Sequence, residues 1–179
     1  MKSNNLFLTG EKGVGKTTLL VEILNSLAIE PAGFMCIREG SKEKPLAFYL
    51  VSALQYLQQK EELSPAKESC FARRSDLESP WQIKDEVFNI RGKLLLEKPG
   101  EAPLVVMDEL GRFEKNAAEF QKCVFDKLSS SVPVLGVIKD EKLPFLDTVR
   151  ARPDTGVYRL TVNNRRLLKN KIMNWLKKY

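Results

Sequence analysis

Short apolar runs alternate with amphipathic stretches along this chain of 179 residues. Continuous apolar runs predict strands that are buried on both faces, whereas apolar residues that recur every three or four positions predict helices. The predicted strands are 6–8, 34–37, 46–51, 104–107, 132–138 and 157–161. The predicted helices are 17–28, 79–95, 113–128 and 168–176, and 143–149 is predicted to be a short helix or a turn. This alternation predicts an α/β fold with a mainly parallel central sheet flanked by helices.

The region after the first predicted helix departs from this alternation. The strands at 34–37 and 46–51 flank the polar turn 40–45, which indicates a small hairpin-like insertion. Residues 52–78 are ambiguous, because a helical piece, an interruption by Pro65 and a further short strand within 70–77 all fit the pattern.

Ser79-Pro80 predicts the start of the next helix, because Ser can cap a helix and Pro fits its first position. The predicted apolar face of this helix consists of Ile83, Val87, Ile90, Leu94 and Leu95.

The loop between the first predicted strand and the first predicted helix carries the strongest motif. It reads Gly-Glu-Lys-Gly-Val-Gly-Lys-Thr from Gly10 to Thr17 and fits the P-loop pattern. Its glycines let backbone N–H groups approach a phosphate, and the helix adds the positive end of its dipole. Lys16 can reach the β- and γ-phosphates, and the Thr17 hydroxyl can ligate Mg²⁺. The predicted nucleotide-binding residues here are Gly10, Glu11, Lys12, Gly13, Val14, Gly15, Lys16, Thr17 and Thr18.

A second candidate element follows the apolar run 104–107. Asp108 can hold Mg²⁺ through water, and Glu109 is placed to orient or deprotonate the attacking water. The predicted catalytic residues are therefore Lys16 and Glu109, and the predicted metal ligands are Thr17 and Asp108. This Asp-Glu pair resembles the P-loop branch that activates water with the glutamate and inserts an extra strand between the two motif strands. Residues 132–138 would supply that strand.

Together with further sequence strings, these motifs resemble those of a known family. The chain carries Leu-Thr-Gly before the P-loop, Val-Met-Asp-Glu-Leu-Gly-Arg-Phe-Glu ending at Glu114, and Asn164-Arg165 near its C-terminal end. In these strings it resembles the small P-loop nucleoside-triphosphatases first described from thermophiles, a family also known as cancer-related nucleoside-triphosphatase. The matches run from residue 6 to about residue 168.

The resemblance implies a RecA-like fold and slow hydrolysis of several nucleoside triphosphates, ATP and GTP among them, with Mg²⁺ as cofactor. It assigns the family's motif roles to 10–17, Asp108 and Glu109. At Arg165 it suggests a base or ribose contact, with a capping and surface role for Asn164-Arg165 as the alternative. The chain departs from the family at Lys12, where a proline is usual.

Composition narrows the class of protein. Length and a hydrophobic content of 43% fit a single domain spanning 1–179. No apolar run approaches the ~20 residues of a membrane span, and the early first strand leaves no room for a signal peptide, so a cytoplasmic location is expected. The chain has no histidine, which excludes Ser-His and Cys-His catalysis. Cys36, Cys70 and Cys123 lack paired spacing and are expected to be reduced thiols.

Other classes stay open beside a nucleoside-triphosphatase. A P-loop kinase would need a second substrate pocket and an arginine-rich lid, to which Arg73 and Arg74 could belong. A nucleotide-regulated nucleic-acid binder would use the net charge of +6 and the basic C-terminal helix, although cations there are expected on any polar helix face. A GTPase switch is disfavoured, because no Asn-Lys-x-Asp sequence selects guanine. A nucleoside triphosphate is the expected partner, nucleic acid is a possible one, and no membrane partner is expected.

Two further cations lie near the predicted catalytic residues in sequence. Arg112 could neutralise transition-state charge or form a surface salt bridge. Lys139 could sense the γ-phosphate or be a solvated residue at the end of a strand.

Overall fold

The computed structural model describes residues 4–59, 62–97 and 102–179. Within these ranges eight strands form one sheet, and helices pack on both of its faces. The strands are β1 (Asn5–Thr9), β2 (Ala32–Gly40), β3 (Pro45–Ser52), β4 (Cys70–Arg73), β5 (Gln82–Ile83), β6 (Val105–Leu110), β7 (Val134–Ile138) and β8 (Thr155–Arg159). The helices are α1 (Lys16–Ser26), α2 (Ala53–Gln59), α3 (Asp85–Val87), α4 (Lys93–Glu97), α5 (Ala118–Leu128), α6 (Pro144–Arg150) and α7 (Arg165–Leu176).

The sheet combines a parallel part with an antiparallel extension. Its strand order is β5-β4-β3-β2-β6-β7-β1-β8, and β2, β6, β7, β1 and β8 run parallel. The predicted α/β fold is confirmed, and β7 lies between β1 and β6 as the predicted inserted strand. Because the carboxyl ends of parallel strands share one edge, β1 and β6 deliver the P-loop and Asp108-Glu109 to the same edge.

The predicted hairpin is confirmed as β2 and β3, which pair antiparallel. It widens the sheet, because β2 also pairs with β6 and β4 adds to β3 on the other side. The helical piece and the short strand that the ambiguous region allowed are α2 and β4.

One face of the sheet is covered by α1 and α7. Helix α1 packs through the apolar positions that its 3.6-residue period predicts. The predicted apolar face of the C-terminal helix is confirmed, because all four of its residues are buried in the same cluster. The buried residues of the two helices are Leu19, Leu20, Ile23, Leu24, Leu168, Ile172, Trp175 and Leu176.

The predicted helix start at Ser79-Pro80 is wrong. Gln82 and Ile83 form the edge strand β5 instead, which pairs antiparallel with β4, and the helix begins at Asp85. Local capping chemistry favoured a helix at Ser79, but pairing with β4, a tertiary interaction, decided the conformation.

The predicted apolar face of that helix is also wrong at two positions besides Ile83, which is 38% exposed in β5. Ile90 is 71% exposed and Leu94 is 46% exposed. Helix α3 continues through a π-helical stretch, Phe88–Gly92, into α4. The wider turn of a π-helix rotates the residues after it, so a face extrapolated at 3.6 residues per turn points away from the core.

The helix predicted over 113–128 starts later than its apolar period suggested. Helix α5 begins at Ala118, and Phe113 and Ala117 are buried in the turn before it. Both residues are apolar because they pack into the core from that turn. Their spacing matched a helical period, but it does not reflect a helix.

The structure also bears on the cysteines and on membrane-spanning helices. The three cysteines are free thiols. In the part of the chain that the structure describes, no helix is both long and apolar enough to cross a membrane.

Candidate active site

The loop between β1 and α1 takes the conformation of a phosphate cradle. Gly15 occupies the position before the first turn of α1 with a φ of 95°, in the left-handed region that favours glycine. Gly10 must be a glycine for a second reason: a Cβ there would lie 2.5 Å from the Leu160 carbonyl oxygen. The loop is therefore shaped by residues that leave its backbone open to a ligand.

Lys16 lies at the centre of this loop. Its Nζ donates to the carbonyl oxygens of Gly10 and Glu11, each at 2.9 Å. Burial lowers the pKa of Lys16, although the nearby carboxylates of Glu109 and Asp108 act in the opposite direction. The Lys16 ammonium group thus donates to uncharged carbonyl oxygens. The charged oxygens of a phosphate are stronger acceptors and can take their place.

Asp108 is buried beneath the loop, at the end of β6, with 2% of its surface exposed. Burial, followed by the charge of Glu109, raises the pKa of Asp108 to about 7, while a side-chain hydrogen bond from Thr17 lowers it. The Oδ2 atom is buried and has no hydrogen-bond partner among the described residues. A buried carboxylate oxygen without a partner is costly unless a ligand satisfies it.

This pair of oxygen donors fits a magnesium ion. Mg²⁺ prefers one or two protein oxygen ligands together with the phosphates of a substrate. Thr17 and Asp108 offer one hydroxyl and one carboxylate on the side of the loop where a phosphate would lie. Within the described ranges, no group of three or more His, Cys, Asp or Glu side chains is placed to hold a metal ion.

Glu109 enters the cleft because of a bulge in β6. Asp108 pairs with Val137 and Leu110 pairs with Ile138, so Glu109 is an extra residue in the ladder. The bulge lets Leu110 keep a buried position although it follows Glu109 directly. The Glu109 side chain remains 31% exposed at the cleft, where a carboxylate can meet water.

Lys139 completes this part of the site. Its Nζ lies 3.0 Å from Oε1 of Glu109, and the side chain is 29% exposed. The two alternatives given for Lys139 therefore resolve in part: it lies in the cleft and pairs with the predicted catalytic glutamate, and it is not a freely solvated residue.

The cleft holds a cavity of about 810 Å³, lined by most of the predicted site residues. Val14 packs on the core under α1, outside this lining. Arg165 lies behind the loop, where it donates to the Gly15 carbonyl oxygen at 3.1 Å and to Glu22 at 3.0 Å. Its assignment to nucleotide binding stays a prediction. The predicted residues that line the cavity are Gly10, Glu11, Lys12, Gly13, Gly15, Lys16, Thr17, Thr18, Asp108 and Glu109.

The arginines considered for a kinase lid and for neutralising transition-state charge differ in whether they line the cavity. Arg73 is not among the residues that line the cavity and pairs with Glu39 at 2.9 Å, whereas its neighbour Arg74 lines the cavity. Arg112 also lines the cavity, with its guanidinium 5.4 Å from the Phe113 ring centroid. The surface salt bridge considered for Arg112 is absent from the described residues.

The basic C-terminal helix is partly neutralised by α1. Arg165 and Lys169 both bind the carboxylate of Glu22, at 3.0 and 2.5 Å. These contacts fix α7 against α1 and lower the pKa of Glu22. Two of the cations that suggested nucleic-acid binding therefore hold the fold together.

Several cleft residues were not found from the sequence. Lys42, in the turn between β2 and β3, places its Nζ 3.4 Å from the Gly13 carbonyl oxygen. Aromatic residues line the far end of the cavity, together with Arg74. Nothing in the sequence indicated that Lys42 or these aromatic residues belong to the cleft, because their positions depend on contacts between residues that are distant in the chain.

Comparisons with known proteins find relatives that match almost the whole chain. A family model described as NTPase matches residues 5–173. The chain is 30% identical over 180 residues to the nucleoside-triphosphatase THEP1 of Thermotoga maritima, covering 96% of this chain and 95% of that protein. It is 31% identical over 178 residues to the THEP1 protein of Natranaerobius thermophilus, covering 96% of each.

Two further proteins extend the comparison. The cancer-related nucleoside-triphosphatase homolog of Bos taurus is 30% identical over 176 residues, covering 91% of each chain. The crystal structure of THEP1 from the hyperthermophile Aquifex aeolicus superimposes with a TM-score of 0.74 at 23% identity, covering 97% of this chain and 99% of that one. This structural likeness shows that the fold is shared.

Proposed function

The chain belongs to the NTPase family, and we propose that it hydrolyses ATP, GTP and other nucleoside triphosphates to the diphosphate and phosphate. One observation carries this proposal: Asp108 with its partnerless buried oxygen and Glu109 at the cleft surface both face the loop that holds Lys16. The groups that we propose to bind phosphate and to activate water thus line one cavity.

Lys16 and the loop would bind the triphosphate. The Lys16 ammonium exchanges its two backbone acceptors for phosphate oxygens and offsets the charge that builds up during phosphoryl transfer. The backbone contacts of the loop address phosphates, which all nucleoside triphosphates share, and this supports a broad base preference.

Thr17 and Asp108 would hold Mg²⁺. The ion, when bound, neutralises negative charge on the phosphate oxygens. A proton on Asp108 would compete with the cation, because the carboxylate binds metal in its ionised form.

Glu109 would act as the general base. Its carboxylate accepts a proton from water as the water oxygen bonds to the γ-phosphorus and the bond from that phosphorus to the β,γ-bridging oxygen breaks. Lys139, 3.0 Å from the same carboxylate, would orient it towards the water.

The test is phosphate release from ATP, GTP, CTP and UTP with Mg²⁺, comparing the wild type with Glu109→Gln. Release from several triphosphates, reduced at least about a hundredfold in Glu109→Gln while nucleotide binding persists, is the expected result. Equal turnover by Glu109→Gln and the wild type would rule out Glu109 as the base. Omission of Mg²⁺, with EDTA present, should abolish release in the wild type.

A further inference from the structure

Five aromatic side chains form a chamber at the far end of the cleft, which we call the ring chamber: Phe48, Phe71, Trp81, Phe88 and Phe113. Phe113 is at its centre, with ring centroids 5.5 Å from Phe48, 5.8 Å from Phe71 and 5.4 Å from Trp81. Phe71, Phe88 and Phe113 are buried and belong to the core, but Phe48 and Trp81 keep part of their surface at the cavity.

The ring chamber also carries a fixed cation. The guanidinium of Arg74 lies 4.6 Å from the Trp81 ring centroid. It donates through Nε to the Pro45 carbonyl oxygen at 2.8 Å and through one terminal nitrogen to the Leu77 carbonyl oxygen at 2.9 Å. These bonds hold Arg74 in place without neutralising its charge.

Three arginines that line the cavity have no counter-ion among the described residues. Arg38, Arg74 and Arg112 take part in none of the ion pairs of the described residues. By contrast, Arg159, which lines the same cavity, pairs with Asp140. Unpaired guanidinium groups beside exposed aromatic surface provide both elements that a nucleotide needs, a stacking platform and a phosphate-binding charge.

The position of the ring chamber relative to the γ-phosphate end indicates which molecule binds in it. Lys16 and Glu109 mark the γ-phosphate end of a triphosphate held by the loop, while the loop backbone cradles the α- and β-phosphates. The ring chamber takes most of its rings from β3, β4 and the segment before β5, which lie on the side of β6 away from the P-loop strand β1. It is close to Glu109, because Lys139 Nζ lies 3.0 Å from Glu109 and 6.0 Å from the Phe113 ring centroid. The base of the triphosphate leaves from its α-phosphate and so extends away from the ring chamber.

We propose that the ring chamber binds the base of a second nucleotide, a nucleoside monophosphate, whose phosphate group contacts Arg74 and the neighbouring unpaired arginines. This inference rests on the proposed function for the identity of the γ-phosphate end. Aromatic stacking tolerates any of the four bases, so the site selects a planar ring joined to a phosphate more strongly than it selects one base.

The test uses the Lys16→Ala variant, in which the triphosphate site is impaired. AMP, GMP, CMP and UMP are titrated into this variant by calorimetry, with adenosine and ribose 5-phosphate as probes for the ring and the phosphate alone. We expect saturable binding of the monophosphates at one site per chain, at least about tenfold tighter than either partial probe.

Two neighbouring residues provide a matched pair of second variants. In the Lys16→Ala background, Arg74→Gln should weaken AMP binding about tenfold, whereas Arg73→Gln, on the other side of the same strand end, should leave it within about twofold. Trp81→Ala should weaken it by about tenfold or more through lost stacking. If Trp81→Ala does not fold, as judged by circular dichroism, the two arginine variants still decide the question.

Several outcomes would overturn the ring chamber proposal. These are the absence of AMP binding at millimolar concentration, equal losses in Arg73→Gln and Arg74→Gln, and displacement of AMP from the wild type by a non-hydrolysable ATP analogue, which would locate AMP at the loop. Hydrolysis in the wild-type preparation separates the two proposals. Normal hydrolysis without AMP binding removes only the ring chamber, whereas AMP binding without any hydrolysis removes only the proposed function.

Discussion

The two ends of the cleft are constructed from the chain in opposite ways. The phosphate end consists of residues from the continuous stretch 10–18, all but Val14, with Asp108 and Glu109 added from β6. The ring chamber collects its five rings from β3, β4, the segment before β5, the helix after it and the turn after β6.

This difference explains what each end requires of the sequence. The phosphate end needs a particular backbone conformation, which a few glycines and a helix start specify locally. The ring chamber needs side chains from distant elements to meet, which depends on the whole antiparallel extension of the sheet. One substitution at the phosphate end is therefore expected to abolish its function. One substitution in the ring chamber is expected only to weaken binding there.

Lys16→Ala should have the largest effect and should be confined to the phosphate end. Removal of its charge from the transferring phosphate should reduce triphosphate hydrolysis at least about a hundredfold. Phosphate release is the measurement, with Lys122→Ala, an exposed change on α5, as the control. Retention of more than a tenth of the wild-type rate would show that the phosphate end does not depend on this side chain.

Glu114→Gln should change how the stability of the whole protein depends on pH, because Glu114 is buried in the cavity lining, where it accepts a hydrogen bond from the Gly111 N–H. Burial raises the pKa of Glu114 to about 7, above its ordinary value of 4.5. The folded state then binds the proton more tightly than the unfolded state. The resulting stability is complete below pH 4.5 and is lost as the pH rises through 7.

The free energy of unfolding of the wild type should therefore fall by roughly 3 kcal/mol more between pH 4.5 and 8 than that of Glu114→Gln. Glutamine keeps an oxygen that can accept the Gly111 N–H bond, so it removes the titration and retains the contact. Urea unfolding of both proteins without Mg²⁺ over this pH range is the measurement. Parallel pH profiles for the two proteins would contradict the assignment.

Lys139→Met should test the boundary between the ends. Loss of the cation 3.0 Å from Glu109 leaves that carboxylate unrestrained. We expect kcat for ATP hydrolysis to fall about tenfold with KM changed by less than about threefold, because orientation of the base matters in the transition state. Lys142→Met, three residues further along and outside the cavity lining, is the control. A change in KM alone would instead indicate contact with the bound nucleotide.

Arg165→Ala should have the smallest effect and should reveal whether the phosphate end extends to the base. If Arg165 only supports the loop through the Gly15 carbonyl and Glu22, KM should rise about threefold, and equally for ATP and GTP. Arg166→Ala, at the next and exposed position of α7, should leave both values unchanged. Unequal losses for ATP and GTP would support a base contact at Arg165.

Sequence alone determined the parts of this protein that depend on local chemistry. The glycine pattern from Gly10 to Gly15 predicted the loop, and the Asp-Glu pair after an apolar run predicted the second half of the candidate site. Alternating buried strands and amphipathic helices were sufficient for the fold class, and the resemblance of the Asp-Glu pair to one P-loop branch predicted the position of β7 between β1 and β6. In each case the determining residues are neighbours in the chain or follow a simple period.

The tertiary structure decided everything that depends on residues far apart in the chain. Pairing with β4 turned Ile83 into an edge strand residue, and the π-helical stretch Phe88–Gly92 rotated Ile90 out of the core. The bulge at Glu109 and its contact with Lys139 also required the neighbouring strand. The ring chamber could not be predicted for the same physical reason: packing energy comes from contacts whose partners a local pattern does not specify.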